Sequence, residues 1–299
     1  MGKLDGRGGI AIAELIVYSP CLLVSVFLCA KFGFQRASGW IYTVIFCLAR
    51  IIGSGFQLST YSNPSVSSYT GAFILNGIAL SPLLLATLGI LSRFIDWTRA
   101  NAGSPVNASH VRIIQIILLV GLILGIVGGT STNFSADGTY QPQPTTQAST
   151  ILYLLGLIAI AAVLLLSRRS FNEAPRGERR IFIAITLALP ILFIRIIYSI
   201  LSAFLHNKTF SMLRGSLGAY IGMAVIEEFV VIAIYLTLGF MLEKSVPERS
   251  ETLAGNQRNW KNPRSGYGRR RPGLIGLAMS AFEGRNDYRE PEQAMSARH

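Results

Sequence analysis

Seven apolar stretches, parted by short polar segments, order the chain: residues 9–30, 39–58, 69–91, 113–130, 151–166, 181–205 and 216–242. An α-helix rises about 1.5 Å per residue, so roughly 20 apolar residues cross a hydrocarbon core about 30 Å thick. Runs of this length and continuity predict helices, because the strands of a membrane barrel are shorter and alternate in polarity. The fold expected is all-α, a polytopic membrane bundle of seven transmembrane helices. Pro20, Pro82 and Pro190 fall inside spans and are expected to kink them, their freed carbonyls finding other partners within the bundle.

Charge sharpens this picture. Only 14% of residues are charged and 51% are apolar, where soluble domains carry about 25% charge. The net charge of +12 sits between spans and in the C-terminal segment, so it points to a bilayer and not to nucleic acid. Lys31 and Arg36 follow span 1, Arg93, Arg99 and Arg112 follow span 3, and Arg168, Arg169, Arg176, Arg179 and Arg180 follow span 5. The even-numbered connections carry only Lys208 and Arg214. The positive-inside bias therefore predicts a lumenal or extracellular N-terminus and a cytoplasmic C-terminus, in the endoplasmic reticulum or plasma membrane. Lys3 and Arg7 ahead of span 1 imitate a signal peptide, but Glu14 interrupts the stretch and Ala30-Lys31-Phe32 makes a poor cleavage site.

Ionisable residues inside the spans are the candidate chemistry. Glu227 and Glu228 lie near the centre of span 7, and a carboxylate there costs about 2.5 kcal/mol or more on insertion scales. On span 2, Thr43, Cys47, Arg50, Ser54 and Gln57 recur at steps of three and four and share one face. Span 6 repeats the pattern with Arg195, Tyr198 or Ser199, Ser202 and His206; span 1 offers Glu14, Tyr18, Cys21 and Ser25, and span 3 offers Asn76. Lipid cannot satisfy such faces, so they are expected to meet in the interior. Candidate ligand-binding residues are thus Arg50, Asn76, Arg195, Tyr198, Glu227 and Glu228. Arg195 and Glu227 come out at matching depth and are expected to pair. Three acids against two arginines leave one carboxyl without a charge partner, a group able to keep its proton near neutrality. Glu227, Glu228 and Glu14 are the candidates for a general acid.

Other features add little. Cys21, Cys47 and Cys29 lie within spans, with no zinc spacing, and no cofactor fingerprint or soluble-enzyme motif is present. Of three sequons, Asn133 and Asn207 lie in lumenal connections and are candidate glycosylation sites, whereas Asn107 lies on the cytoplasmic side. Trp40, Tyr69 and Trp97 near span ends fit an interfacial belt. Two segments are expected: a transmembrane domain over 1–244 and a disordered basic cytoplasmic tail over 245–299, in which Arg269-Arg270-Arg271 precedes a short apolar helical face.

A weak internal echo pairs Arg50-Ile51-Ile52-Gly53-Ser54 with Arg195-Ile196-Ile197-Tyr198-Ser199, and Thr87-Leu88-Gly89 with Thr237-Leu238-Gly239. It suggests a 3+1+3 arrangement of parallel repeats. At Arg195-Ile-Ile-Tyr-Ser-Ile-Leu-Ser and Glu227-Glu228-Phe the chain resembles a family of fungal seven-helix membrane proteins of unassigned activity, over about residues 8–244. In architecture it also resembles the RTA1-like lipid-translocating exporters and, more distantly, opsin- and SWEET-type bundles, although span 7 has no lysine before Lys244. Similarity of the same kind to the membrane-bound terpene cyclases of fungal secondary metabolism implies a protonated intramembrane glutamate as general acid. Three functions follow: binding or transport of a small lipophilic molecule in the polar interior, a cyclase-like enzyme, or a structural protein whose charges only hold helices together.

Overall fold

The computed structural model describes residues 6–32, 38–62, 65–101, 106–132, 143–171, 174–204 and 217–242. Asn133, Asn207, His206 and the whole of 245–299 lie outside the described residues. The elements are α1 Gly6–Phe32, α2 Ser38–Ser62, α3 Val66–Ile78, α4 Leu80–Asn101, α5 Ala108–Thr130, α6 Pro144–Leu166, α7 Arg176–Phe204, α8 Leu217–Tyr220 and α9 Ile226–Met241. A 3₁₀ turn, Ser167–Phe171, follows α6, and a π turn, Ile221–Val225, joins α8 to α9. No strand occurs among the described residues. Six helical segments are long and apolar enough to cross a membrane. The protein is an all-α, multi-pass membrane bundle, with α8, the π turn and α9 forming the seventh segment.

The third span is longer than its apolar run and is broken. Proline has no N–H and its ring crowds the carbonyl four residues back; for Pro82 that residue is Ile78, where α3 ends. Helix then resumes at Leu80 and continues to Asn101, past the apolar limit at Leu91. The sixth element also starts early, with Pro144 in the first turn, where a missing N–H costs nothing. In the last segment the Ile226 N–H reaches back five residues to the Ile221 carbonyl.

Neighbours in sequence pack side by side from α1 round to α9, and α9 returns to α1. The α3–α4 span is the axis: α4 also meets α6 and α7. Seventy-two per cent of its most apolar window is buried, against 22% for α1 and α5. The outer faces of α1 and α5 instead present Ile16, Leu23, Phe27, Ile113, Ile116 and Ile123 outward. A polar inside and an apolar outside suit lipid as solvent, where helices associate through close packing and not through expulsion of water. At Gly239 a Cβ would lie 2.5 Å from Leu28 Cδ1 and 2.8 Å from Trp40 Cη2, so only glycine allows that approach of α1 and α2 to α9. Trp40, near the start of α2, thus faces inward and not lipid. It is buried, stacked 6.0 Å from the Phe32 ring.

Contacts fix which helix ends lie together. Lys31 Nζ donates to the Leu242 carbonyl at 3.4 Å, Arg180 Nη1 to the Met241 carbonyl at 2.9 Å, and Arg93 Nε to Glu178 Oε1 at 3.2 Å. This end, where α1 and α9 finish, is the C-side; cations there complement the carbonyl end of α9. At the opposite end, the N-side, Gln147 near the start of α6 donates to the Ala203 carbonyl near the end of α7, at 3.2 Å.

Candidate functional site

The polar faces of α1, α2, α3, α7 and α9 meet in one buried ionic cluster. Glu228, fully buried, stands between two arginines. Arg195 Nε donates to its Oε1 at 2.7 Å, and Arg50 Nη2 pairs with its Oε2. Arg50 Nη1 donates to Asn76 Oδ1 at 2.9 Å and reaches Glu14 Oε1 at 3.5 Å. Glu14 also accepts from Ser54 Oγ at 2.6 Å and from the Tyr220 hydroxyl at 3.4 Å. Arg195 Nη1 continues the chain to Ser199 Oγ at 2.7 Å. The Tyr198 ring lies 5.7 Å from the Arg195 guanidinium and packs with Tyr220 and Val225. Arginine forks and carboxylates are acting here as mutual counterions, the arrangement that makes buried charge tolerable.

The expected pairing of Arg195 with Glu227 is therefore corrected. Equal depth is shared by both glutamates, but neighbours on a helix point about 100° apart, and it is Glu228 that faces Arg195 and Arg50. Glu227 is the supernumerary carboxyl: it is buried, and among the described residues its Oε2 has no hydrogen-bond partner. It stands two residues past the π turn, a distortion often found at functional positions. Arg50, Asn76, Arg195, Tyr198, Glu228 and Glu14 come together in this cluster.

A second polar region lies beside the first. A cleft of about 40 Å³ opens between α3, α5, α6 and α7, lined by Phe73, Ile74, Gly77, Gly125, Thr146, Ser149, Thr150, Tyr153, Ser199, Ser202 and Ala203. That volume takes a few atoms, or two or three waters. Two glycines keep it open. A Cβ on Gly77 would meet nothing within 4 Å, and one on Gly125 would make ordinary contacts, 3.4 Å to the Tyr153 hydroxyl and 3.6 Å to Ser149 Oγ. The cleft carries hydroxyls and, among the described residues, no charged side chain. Ser199 belongs to both regions, since its oxygen accepts from Arg195 and its side chain lines the cleft.

Sequence reasoning reached Ser199 and Ser202 but missed the α6 wall. Thr146, Ser149, Thr150 and Tyr153 recur at helical spacing, which was the available signal. Thr146, Ser149 and Thr150 lie before the start of the apolar run at Ile151, so the turns that carry them resemble a loop, and Tyr153 reads as part of the run. Asn107 stands at the start of α5 on the C-side, its N–H donating to His110 Nδ1 at 3.1 Å.

In comparison with known proteins, residues 4–245 match the family model described as "Domain of unknown function (DUF7702)". No curated protein matches the chain. No solved structure matches it either. The matched range coincides closely with the span over which the fungal seven-helix resemblance was drawn, and it brings neither an organism nor an activity with it.

Proposed function

The chain belongs to the DUF7702 family, and from that premise and the two polar regions we propose that it is a membrane protein that binds a small lipophilic molecule in its interior, the polar end of the ligand entering the cleft between α3, α5, α6 and α7. One observation carries this reading: the cleft is lined by hydroxyls and kept open by glycines directly beside a cluster whose arginines and carboxylates already form ion pairs with one another. Arg50, Asn76, Arg195, Glu228 and Glu14 then act as the frame of the site, and Ser199 reports occupancy of the cleft to that frame. Transport would need the frame to rearrange; binding alone would not.

We orient the C-side toward the cytoplasm, because Lys31, Arg93, Arg99, Arg112, Arg168, Arg169, Arg176, Arg179 and Arg180 gather toward it. Asn133 and Asn207 then fall on the lumenal side as glycosylation acceptors, and 245–299 becomes a cytoplasmic tail separate from the bundle of 1–244. A second reading rests on one observation, the unpartnered Oε2 of Glu227. A neutral carboxyl there could donate a proton to an apolar substrate, as a cyclase-like general acid would.

Photolabelling of the full chain in native membranes with C16 alkyl probes bearing a chain-borne diazirine tests the first reading. Peptide mapping should find adducts on α6 and α7 around Tyr153 and Ser202. Adducts confined to the outer faces of α1 and α5 would leave the cleft without a ligand and overturn it. A probe recovered with altered connectivity, and unaltered in Glu227→Gln, would favour the enzyme.

A further inference from the structure

We propose that the cleft selects an uncharged alcohol, recognising one hydroxyl as donor and acceptor at once. The inference rests on the binding reading above and assigns that ligand its head group. A guanidinium has donors and no acceptor, so in the 2.7 Å contact between Arg195 Nη1 and Ser199 Oγ the serine oxygen accepts. The proton of Ser199 is therefore left to point elsewhere, and the side chain lines the cleft. The opposite wall is spent in the other sense. Ser149 Oγ donates to the Thr146 carbonyl at 2.8 Å, and Thr150 Oγ1 donates to the same carbonyl at 3.0 Å. Those two oxygens retain lone pairs and no free proton. Thr146 Oγ1 is buried and has no hydrogen-bond partner among the described residues, and the buried Tyr153 hydroxyl faces Ser81.

The walls thus offer donors at Ser199 and Thr146 and free acceptors at Ser149 and Thr150. A ketone or ether would accept from Ser199 and leave the α6 acceptors unmatched. A carboxylate or an ammonium group would enter without a counterion, because among the described residues no charged side chain lines the cleft and the neighbouring arginines already face carboxylates. An alcohol meets both requirements. The space of about 40 Å³ admits the head and little more, so the apolar remainder lies against Phe73, Ile74 and Ala203.

The test uses the full chain in detergent–lipid micelles and diazirine probes of matched chain: a C16 alcohol, its methyl ether, the C16 carboxylate and a C16 trimethylammonium, with a photoreactive sterol as a second alcohol of different shape. Cleft labelling should be strongest for the alcohols. One neutral hydrogen bond corresponds to about 2–10-fold in binding, so the near-isosteric Thr150→Val should cut the preference for alcohol over ether by that factor, whereas Ser199→Ala should weaken cleft labelling by alcohol and ether alike. Thr150→Val lies outside the ionic cluster, so it keeps the test valid where Ser199→Ala fails to fold. The ratio of straight-chain alcohol to sterol tells which shape the apolar wall prefers. Equal cleft labelling by all head groups, or a preference for alcohol over ether unchanged in Thr150→Val, would overturn the alcohol assignment and leave the binding reading standing. No cleft labelling by any probe would mean a cleft that holds only water, and both would fall.

Discussion

The ionic cluster and the hydroxyl cleft lie side by side, share Ser199, and differ in one respect that decides their roles. In the cluster, acids and bases are matched: Glu228 holds Arg50 and Arg195, and Glu14 takes Arg50, Ser54 and Tyr220. In the cleft, uncharged hydroxyls border open space. Matched buried charge is structural capital, because removing one member strands the others. Uncharged hydroxyls beside a void are capacity for a guest, because adding a partner satisfies groups that protein does not. Intramembrane charge is the louder signal in a sequence, yet the quieter serines and threonines make the better ligand site.

The contrast can be broken in several places. The largest effect is expected at Glu228. Glu228→Ala leaves Arg50 and Arg195 facing each other without their shared carboxylate, and breaking such a buried pair typically costs about 3–5 kcal/mol. Folded yield by fluorescence-detected size exclusion should collapse, and normal yield and melting temperature would show that the cluster is not structural.

Next comes the pairing itself. A double-mutant cycle between Arg195→Met and Glu228→Gln, read by thermal unfolding in one detergent, should give a coupling of about 0.5–3 kcal/mol. The same cycle with Glu227→Gln should give a smaller coupling, because Arg195 makes its hydrogen bond to Glu228 and none to Glu227 among the described residues. Reversal of the two results would restore Glu227 as the arginine partner.

A smaller loss is expected at Gly239, whose replacement by Leu must displace Leu28 and Trp40, at about 1–3 kcal/mol for overpacking. Smallest is Glu227→Gln. Its Oε2 holds no partner among the described residues, so stability should move by no more than about 0.5 kcal/mol. A large destabilisation there would mean that the lone carboxyl anchors the bundle after all.

Much of this molecule could be read from residue order. Apolar run length predicts the membrane spans, and the three- and four-residue steps of Arg50, Ser54, Arg195 and Ser199 predict which faces meet. What could not be read has physical causes. Depth along a helix is nearly the same for Glu227 and Glu228, so counting residues cannot choose between them; azimuth decides, and the π turn just upstream resets azimuth relative to Tyr220. Helix ends escape hydropathy when they are polar, as at Pro144–Leu166, whose first turns carry the cleft wall. Trp40 sits at a span end but is drawn inward by the glycine opposite it, a contact between residues distant in sequence.

One measurement bears most directly on the division between frame and cleft: binding of the C16 alcohol probe to Gly77→Leu, with the melting temperature of the same sample. Gly77 lines the cleft and a Cβ there meets nothing within 4 Å, so a leucine is expected to occupy that space. Loss of saturable labelling at Tyr153 and Ser202, with melting within a few degrees of the parent, is the predicted result. Undiminished labelling in Gly77→Leu, together with its loss in Glu227→Gln, would place the ligand among the charges and contradict the account.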